Sequence, residues 1–186
     1  TETKVTLYNT IIQPHFDYCA SIVYLFSLNK ISQLQKLQNR GMRIILRTSR
    51  ITPILIMLKS LEWLSVRQRL HYLTMVFVYK ILNSLAPSYF QKYVSFQRDV
   101  HDYNTRGTNN LHIVEFKNSF MMNSLICKGF KEYNELPLVL GTCRNINTFK
   151  YENNVLNVFV LPCTYCAYVD RIGILFKCLW LSILTF

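Results

Sequence analysis

The sequence predicts a mainly α-helical fold, and three observations carry that prediction. Apolar positions recur at helical spacing through the first 95 residues, and helix-start signals stand where several of those runs begin. Strand-like alternation is confined to one short stretch, Leu111 to Phe116, within a strand or loop region near residues 95–118. With 186 residues and 51% apolar content, the chain can bury a real core as one compact domain.

In chain order, a first helix is expected over Thr3 to Gln13, stopped or bent by Pro14, and a second apolar run covers His15 to Phe26. A long helix follows from about Asn29 to Ser49, with Ile31, Leu34, Leu37, Gly41 and Ile45 gathered on the side expected to pack. Thr52 before Pro53 reads as an N-cap with proline at the first helical position, opening a short helix through Ser60. Ser65 and Gln68 have capping-box spacing, which starts a helix to about Asn83 with Leu70, Leu73, Phe77 and Ile81 on its core face. Pro87 opens another short helix. Tyr103 to Gly107 reads as an exposed loop, Ser119 to Tyr133 returns to helical spacing, and a last helix starts near Asn147 and continues past Leu156. No internal repeat or low-complexity segment is present.

Charge is distributed unevenly. The net charge is +11; residues 1–150 carry 19 Lys and Arg against 8 Asp and Glu, and the remainder 2 against 2, so the whole excess lies in the first four-fifths. Its densest expression is a stripe of five cations, Lys36, Arg40, Arg43, Arg47 and Arg50, which fall within roughly 80° of one another on a helical projection. No acidic residue occurs between Asp17 and Glu62. A solvated helix face normally mixes signs, because like charges at i,i+4 repel by a few tenths of a kcal/mol per pair. An uncompensated row points to a polyanion that supplies the missing charge, and a solvated or protein-binding face is the alternative.

Other chemistry finds little support. Cys163 and Cys166 have knuckle spacing, but zinc wants four ligands and no histidine follows His112. His15 and Cys19 stand one helical turn apart, yet Asp17 projects to another face, so a packed helix is the better reading than a nucleophile with its base. No phosphate-cradling glycine pattern and no adjacent acidic pair occurs, so no catalytic residue, metal site or cofactor is assigned. Tyr89, Tyr93 and Tyr103 lie near Lys92, Arg98 and Arg106 in sequence; Arg106 is taken as a backbone-phosphate contact and Tyr103 as a stacking platform.

The six cysteines lack the spacing of a secreted disulfide framework, which favours a reducing, intracellular compartment, nucleus or cytoplasm. The chain opens with Thr1 and no initiator methionine, as an internal piece of a longer product would. Residues 158–186 form an apolar, cysteine- and aromatic-rich tail. Ile172 to Phe186 offers only fifteen residues with a lysine inside, short of the about 20 a membrane helix needs. A packed terminal hairpin, or sequence translated beyond an element's original end, are the other readings.

Several phrases, read in order, resemble one family. They begin with Leu7-Tyr8 and Pro14-His15-Phe16-Asp17-Tyr18-Cys19, followed by Leu34-Gln35-Lys36-Leu37-Gln38-Asn39-Arg40-Gly41-Met42-Arg43-Ile44-Ile45. Leu58, Leu61, Trp63-Leu64 and Arg67 come next, then Tyr79-Lys80-Ile81-Leu82-Asn83 and Ala86-Pro87-Ser88-Tyr89. Tyr103-Asn104-Thr105-Arg106, Tyr133-Asn134-Glu135-Leu136-Pro137 and Phe149-Lys150 complete the series. Together, over about residues 6–157, they resemble the region after the polymerase core in non-LTR retrotransposon reverse transcriptases of the jockey-like kind.

The family usually has tryptophan at the place of Tyr133 and a small residue such as alanine at that of Gly41, and a basic helix where the apolar tail stands. Such drift fits a decayed copy or a divergent element. The resemblance implies a helical, thumb-like segment that holds template RNA and primer DNA beside an upstream palm of an RNA-directed DNA polymerase, without a catalytic site of its own. The residue pattern itself divides the chain into a helical, cationic segment over residues 1–95, a connection over 96–118 and C-terminal helices over 119–157. An inactive structural or protein-interaction remnant of a mobile element is the alternative.

Overall fold

A computed structural model describes residues 2–100, 103, 107–114, 116–137, 140, 143 and 145–159. The described chain is mainly helical, and no strand forms among these residues. The expected strand from Leu111 is instead a single antiparallel bridge between Leu111 and Phe96. The reason is visible in the bonding. Beyond the Gln97 N–H to Asn110 carbonyl and His112 N–H to Ser95 carbonyl bonds, the Asn134 side chain takes over both backbone groups of Leu111, at 2.9 Å each.

The chain opens with α1 (Glu2–Leu7), a π turn (Tyr8–Ile12) and α2 (Gln13–Asp17) in one helical run. Pro14 was expected to stop or bend this run. The widened turn just before it, closed by the Gln13 N–H on the Tyr8 carbonyl, carries the helix through a position that lacks a donor. Cys19 then adopts a left-handed conformation, φ 52°, and turns the chain into α3 (Ala20–Val23).

Helix α4 (Leu28–Leu46) precedes α5 (Ile54–Leu61) and α6 (Val66–Leu82). Ser65 and Gln68 form the expected capping box at the start of α6. Thr52, expected to cap α5, does not: Pro53 itself is the extended residue before that helix, and no side chain caps it. A 3₁₀ turn (Ser88–Tyr93) follows Pro87, and then come α7 (Gln97–Val100), α8 (Ser119–Met122), a second π turn (Leu125–Gly129), α9 (Phe130–Asn134) and α10 (Ile146–Phe159).

Helix α6 is the hub. Val66 and Leu70 join Ala20, Tyr24 and Ile31; Met75, Val76 and Tyr79 join Leu140 and Phe149; and Val78 joins Leu111 and Phe130. Tyr79 stacks on Phe149 at 4.3 Å and its hydroxyl donates to the Cys143 carbonyl, which ties α10 and its approach to the hub. Nearer the start of α6, Arg69 grips Asp17 with two bonds of 2.6 and 2.7 Å, fixing α2. The Tyr24 hydroxyl donates to Glu132, and the His71 ring lies 3.6 Å from the same carboxylate, so α3, α6 and α9 meet at one acid. Burial, together with the Glu132 charge, pushes the Tyr24 phenol well above its ordinary range.

Candidate functional site

Helix α4 carries most of the cationic stripe, and its orientation follows from what it buries. Ile31, Gln35, Gln38, Asn39, Met42 and Ile45 face inward. This differs from the apolar face expected from the sequence: Leu37 is 52% exposed, and the buried side is rotated by roughly 70°.

Three buried amides explain the rotation. The Gln35 side-chain amide donates to Gln38 Oε1 at 2.7 Å and to Asn39 Oδ1 at 2.9 Å, while its own Oε1 accepts the Val66 N–H at 2.9 Å. Gln38 Nε2 donates to the Leu64 carbonyl at 2.9 Å. The helix thereby supplies partners for the backbone between α5 and α6, including an orphan N–H at the start of α6.

Gly41 makes a close approach possible on the neighbouring side. A Cβ there would lie 2.7 Å from Cε2 of Tyr8, whose ring is buried and stacked on Trp63 at 4.5 Å. The Tyr8 hydroxyl is buried without a hydrogen-bond partner, and that burial pushes its pKa up to about 12.

On the outward side Lys36, Arg40, Arg47 and Arg50 are exposed and Arg43 is half-buried. The helix ends three residues earlier than expected. Arg47 is its left-handed C-cap, φ 52° and ψ 39°, with its N–H on the Arg43 carbonyl, and Arg50 stands in the turn that follows. Only Lys36, Arg40 and Arg43 therefore share the helix itself. The turn nevertheless returns Arg50 to them: Arg40, Arg43, Ile44 and Arg50 line one open groove of about 560 Å³.

Electrostatically the site is one-sided. Among the described residues no ion pair involves any of the five cations; the pairs that form are Arg69–Asp17, His71–Glu132 and Arg98–Asp99. Arg43 Nε is buried and lacks a hydrogen-bond partner. Lys4, which sequence reasoning missed, brings a further cation to this end of α4 by donating to the Ile44 carbonyl at 3.3 Å. Nothing local in the sequence marks it, because the contact spans forty positions.

The second candidate region is less complete. Arg106 lies outside the described residues, as do Cys163, Cys166 and Cys178 and the apolar stretch from 160 onward. Tyr103 is 81% exposed, Lys92 Nζ lies over the Tyr93 ring at 4.9 Å, and Arg98 is paired with Asp99 at 3.7 Å. Asp17, which lies between His15 and Cys19 in the chain, is paired with Arg69. No described helix is long and apolar enough to cross a membrane.

Comparison with protein-family models, with curated proteins and with solved structures finds no match to this chain.

Proposed function

We propose that the protein is a non-catalytic nucleic-acid-binding segment from the C-terminal part of a retrotransposon reverse transcriptase, holding RNA and DNA through backbone phosphates. The observation that carries the reading is the groove in which Arg40, Arg43 and Arg50 converge, from helix and turn alike, with no carboxylate paired to them among the described residues. Phosphate is the ligand such a set fits, because guanidinium forks match its oxygens and need no base-specific contact. The ordered phrases from Leu7 to Lys150 supply the link to reverse transcriptases. On this reading the nucleic acid passes along α4, and an upstream palm performs the chemistry.

The test is the salt dependence of binding to labelled RNA and DNA. If all five cations neutralise phosphates, the log–log slope is about −3.5 on single strands and about −4.5 on duplex DNA, a loss of roughly 100-fold to 500-fold between 50 and 200 mM salt. A flat response removes the stripe from the mechanism.

The placement of Lys4, Arg43 and Arg47 around the last carbonyls of α4 favours a second reading. Cations there offset the helix dipole, so an inactive structural or protein-interaction remnant would also keep them. That reading predicts weak nucleic-acid binding by a well-folded monomer.

A further inference from the structure

The groove is not purely cationic. Ile44 is one of its four lining residues and is 68% exposed, and Ile51, directly after Arg50 in the same turn, is 90% exposed. Ile44 lies among the arginines of the groove and Ile51 follows Arg50 in the chain, and neither isoleucine belongs to a buried cluster that would explain it. From this combination we infer that the groove takes an unpaired nucleic-acid strand, with phosphates on Arg40, Arg43 and Arg50 and the apolar faces of a base and sugar against Ile44 and Ile51. The inference rests on the phosphate-binding reading above and narrows it to one class of nucleic acid.

The physical argument is one of complementarity. A duplex turns a ridge of phosphates and sugars outward and keeps its base faces stacked inside, so an exposed isoleucine between arginines meets little but charged oxygen. An unpaired strand offers phosphate and bare base face together, and single-strand sites combine a cationic track with apolar or aromatic platforms for that reason. The scale agrees. Lys36 to Arg43 spans roughly 10 Å of helix, enough for a few nucleotides of one strand.

The experiment compares the full chain's affinity for a labelled single strand of about 16 nucleotides with its affinity for a duplex of the same length. The comparison is repeated for the variants I44S/I51S and R40E/R43E/R50E. The single strand is expected to bind roughly tenfold tighter than the duplex, and I44S/I51S is expected to remove most of that preference by weakening the single strand much more than the duplex. The arginine variant is expected to lose both.

Equal affinities together with an inert isoleucine variant overturn the single-strand assignment and leave phosphate binding standing. Binding that survives R40E/R43E/R50E overturns both. Because cations beside exposed isoleucines also suit an anionic lipid surface, vesicles containing phosphatidylserine are included as competitors. Displacement of the strand by vesicles at lower concentration, lost in I44S/I51S, overturns the assignment in favour of a membrane. Circular dichroism confirms that each variant remains helical.

Discussion

The two long helices of this protein make opposite use of their surfaces. Helix α6 buries Val66, Leu70, His71, Thr74, Met75, Val76, Val78, Tyr79 and Ile81, which lie around most of its circumference. Helix α4 buries one side and leaves Lys36, Arg40, Arg47 and Arg50, with the segment that follows it, in solvent. A helix enclosed by its neighbours is a scaffold; one that turns an unpaired cationic side outward has surface to spare for a ligand. The contrast also extends to what is buried. The interior of α6 is mostly apolar, whereas α4 hides three amides that bind one another and the connector before α6. One helix is held by area removed from water, the other in good part by satisfied polar groups whose net value is smaller but whose disruption is costly.

The most damaging way to break the contrast is at the hub. Phe149 is fully buried and stacks on Tyr79, so Phe149→Ala is expected to cost about 3–5 kcal/mol in urea denaturation. Phosphate-dependent binding by the fraction that remains folded should be unchanged, because the stripe does not touch this cluster.

The amides of α4 come next. Gln35→Ala strands the Val66 N–H and the side-chain oxygens of Gln38 and Asn39, and is expected to cost roughly 2–3 kcal/mol. An effect below about 0.5 kcal/mol would mean that this buried face is not held as described.

Alkaline pH probes the rings around both helices. Tyr8 and Tyr133 have pKa values pushed up to about 12 by burial, against an ordinary 10.0. In the unfolded chain these phenols ionise near 10 while the folded ones stay neutral. Their contribution is therefore fully present below pH 10 and is lost as pH rises toward 12. Phenolate absorbance should rise together with loss of helical signal across that window, and Tyr8→Phe should make the loss shallower by roughly 2 kcal/mol.

The smallest expected effect is at Gly41. Alanine gains about 1 kcal/mol of helix propensity but forces a Cβ into the Tyr8 ring, and overpacking of that kind costs about 1–3 kcal/mol. A net loss near 1 kcal/mol is expected for Gly41→Ala, and it should turn into a gain in the Tyr8→Leu background if the ring is the obstacle.

The contrast also explains what the sequence made legible. Both helices could be read as helices from their local periodicity, and at α6 the capping box of Ser65 and Gln68 stands where spacing placed it. The inward face of α4 could not. Periodicity assigns apolar residues to the interior, and here Gln35, Gln38 and Asn39 are buried because a connector from elsewhere in the chain needs donors and acceptors. Leu37 was displaced to the surface by the same requirement.

The cationic stripe was legible as a set, since like charges at helical spacing are a local pattern. Its three-dimensional form was not. The left-handed Arg47 ends the helix early, and only the turn after it brings Arg50 back beside Arg40 and Arg43. A short alternating run at Leu111 read as a strand, but Asn134 captures the backbone groups that a partner strand would have used.

The central claim, that α4 has one face for the fold and another for a ligand, is tested most directly by Arg40→Glu, Arg43→Glu and Arg47→Glu combined, with stability and nucleic-acid binding measured on the same sample. The account predicts a helical content close to that of the parent chain, with the changes at exposed Arg40 and Arg47 worth about 0.5 kcal/mol or less each and the change at half-buried Arg43 costing more, and loss of the salt-dependent binding. A variant that loses its helical content, or one that binds RNA and DNA as well as the parent does, would contradict it.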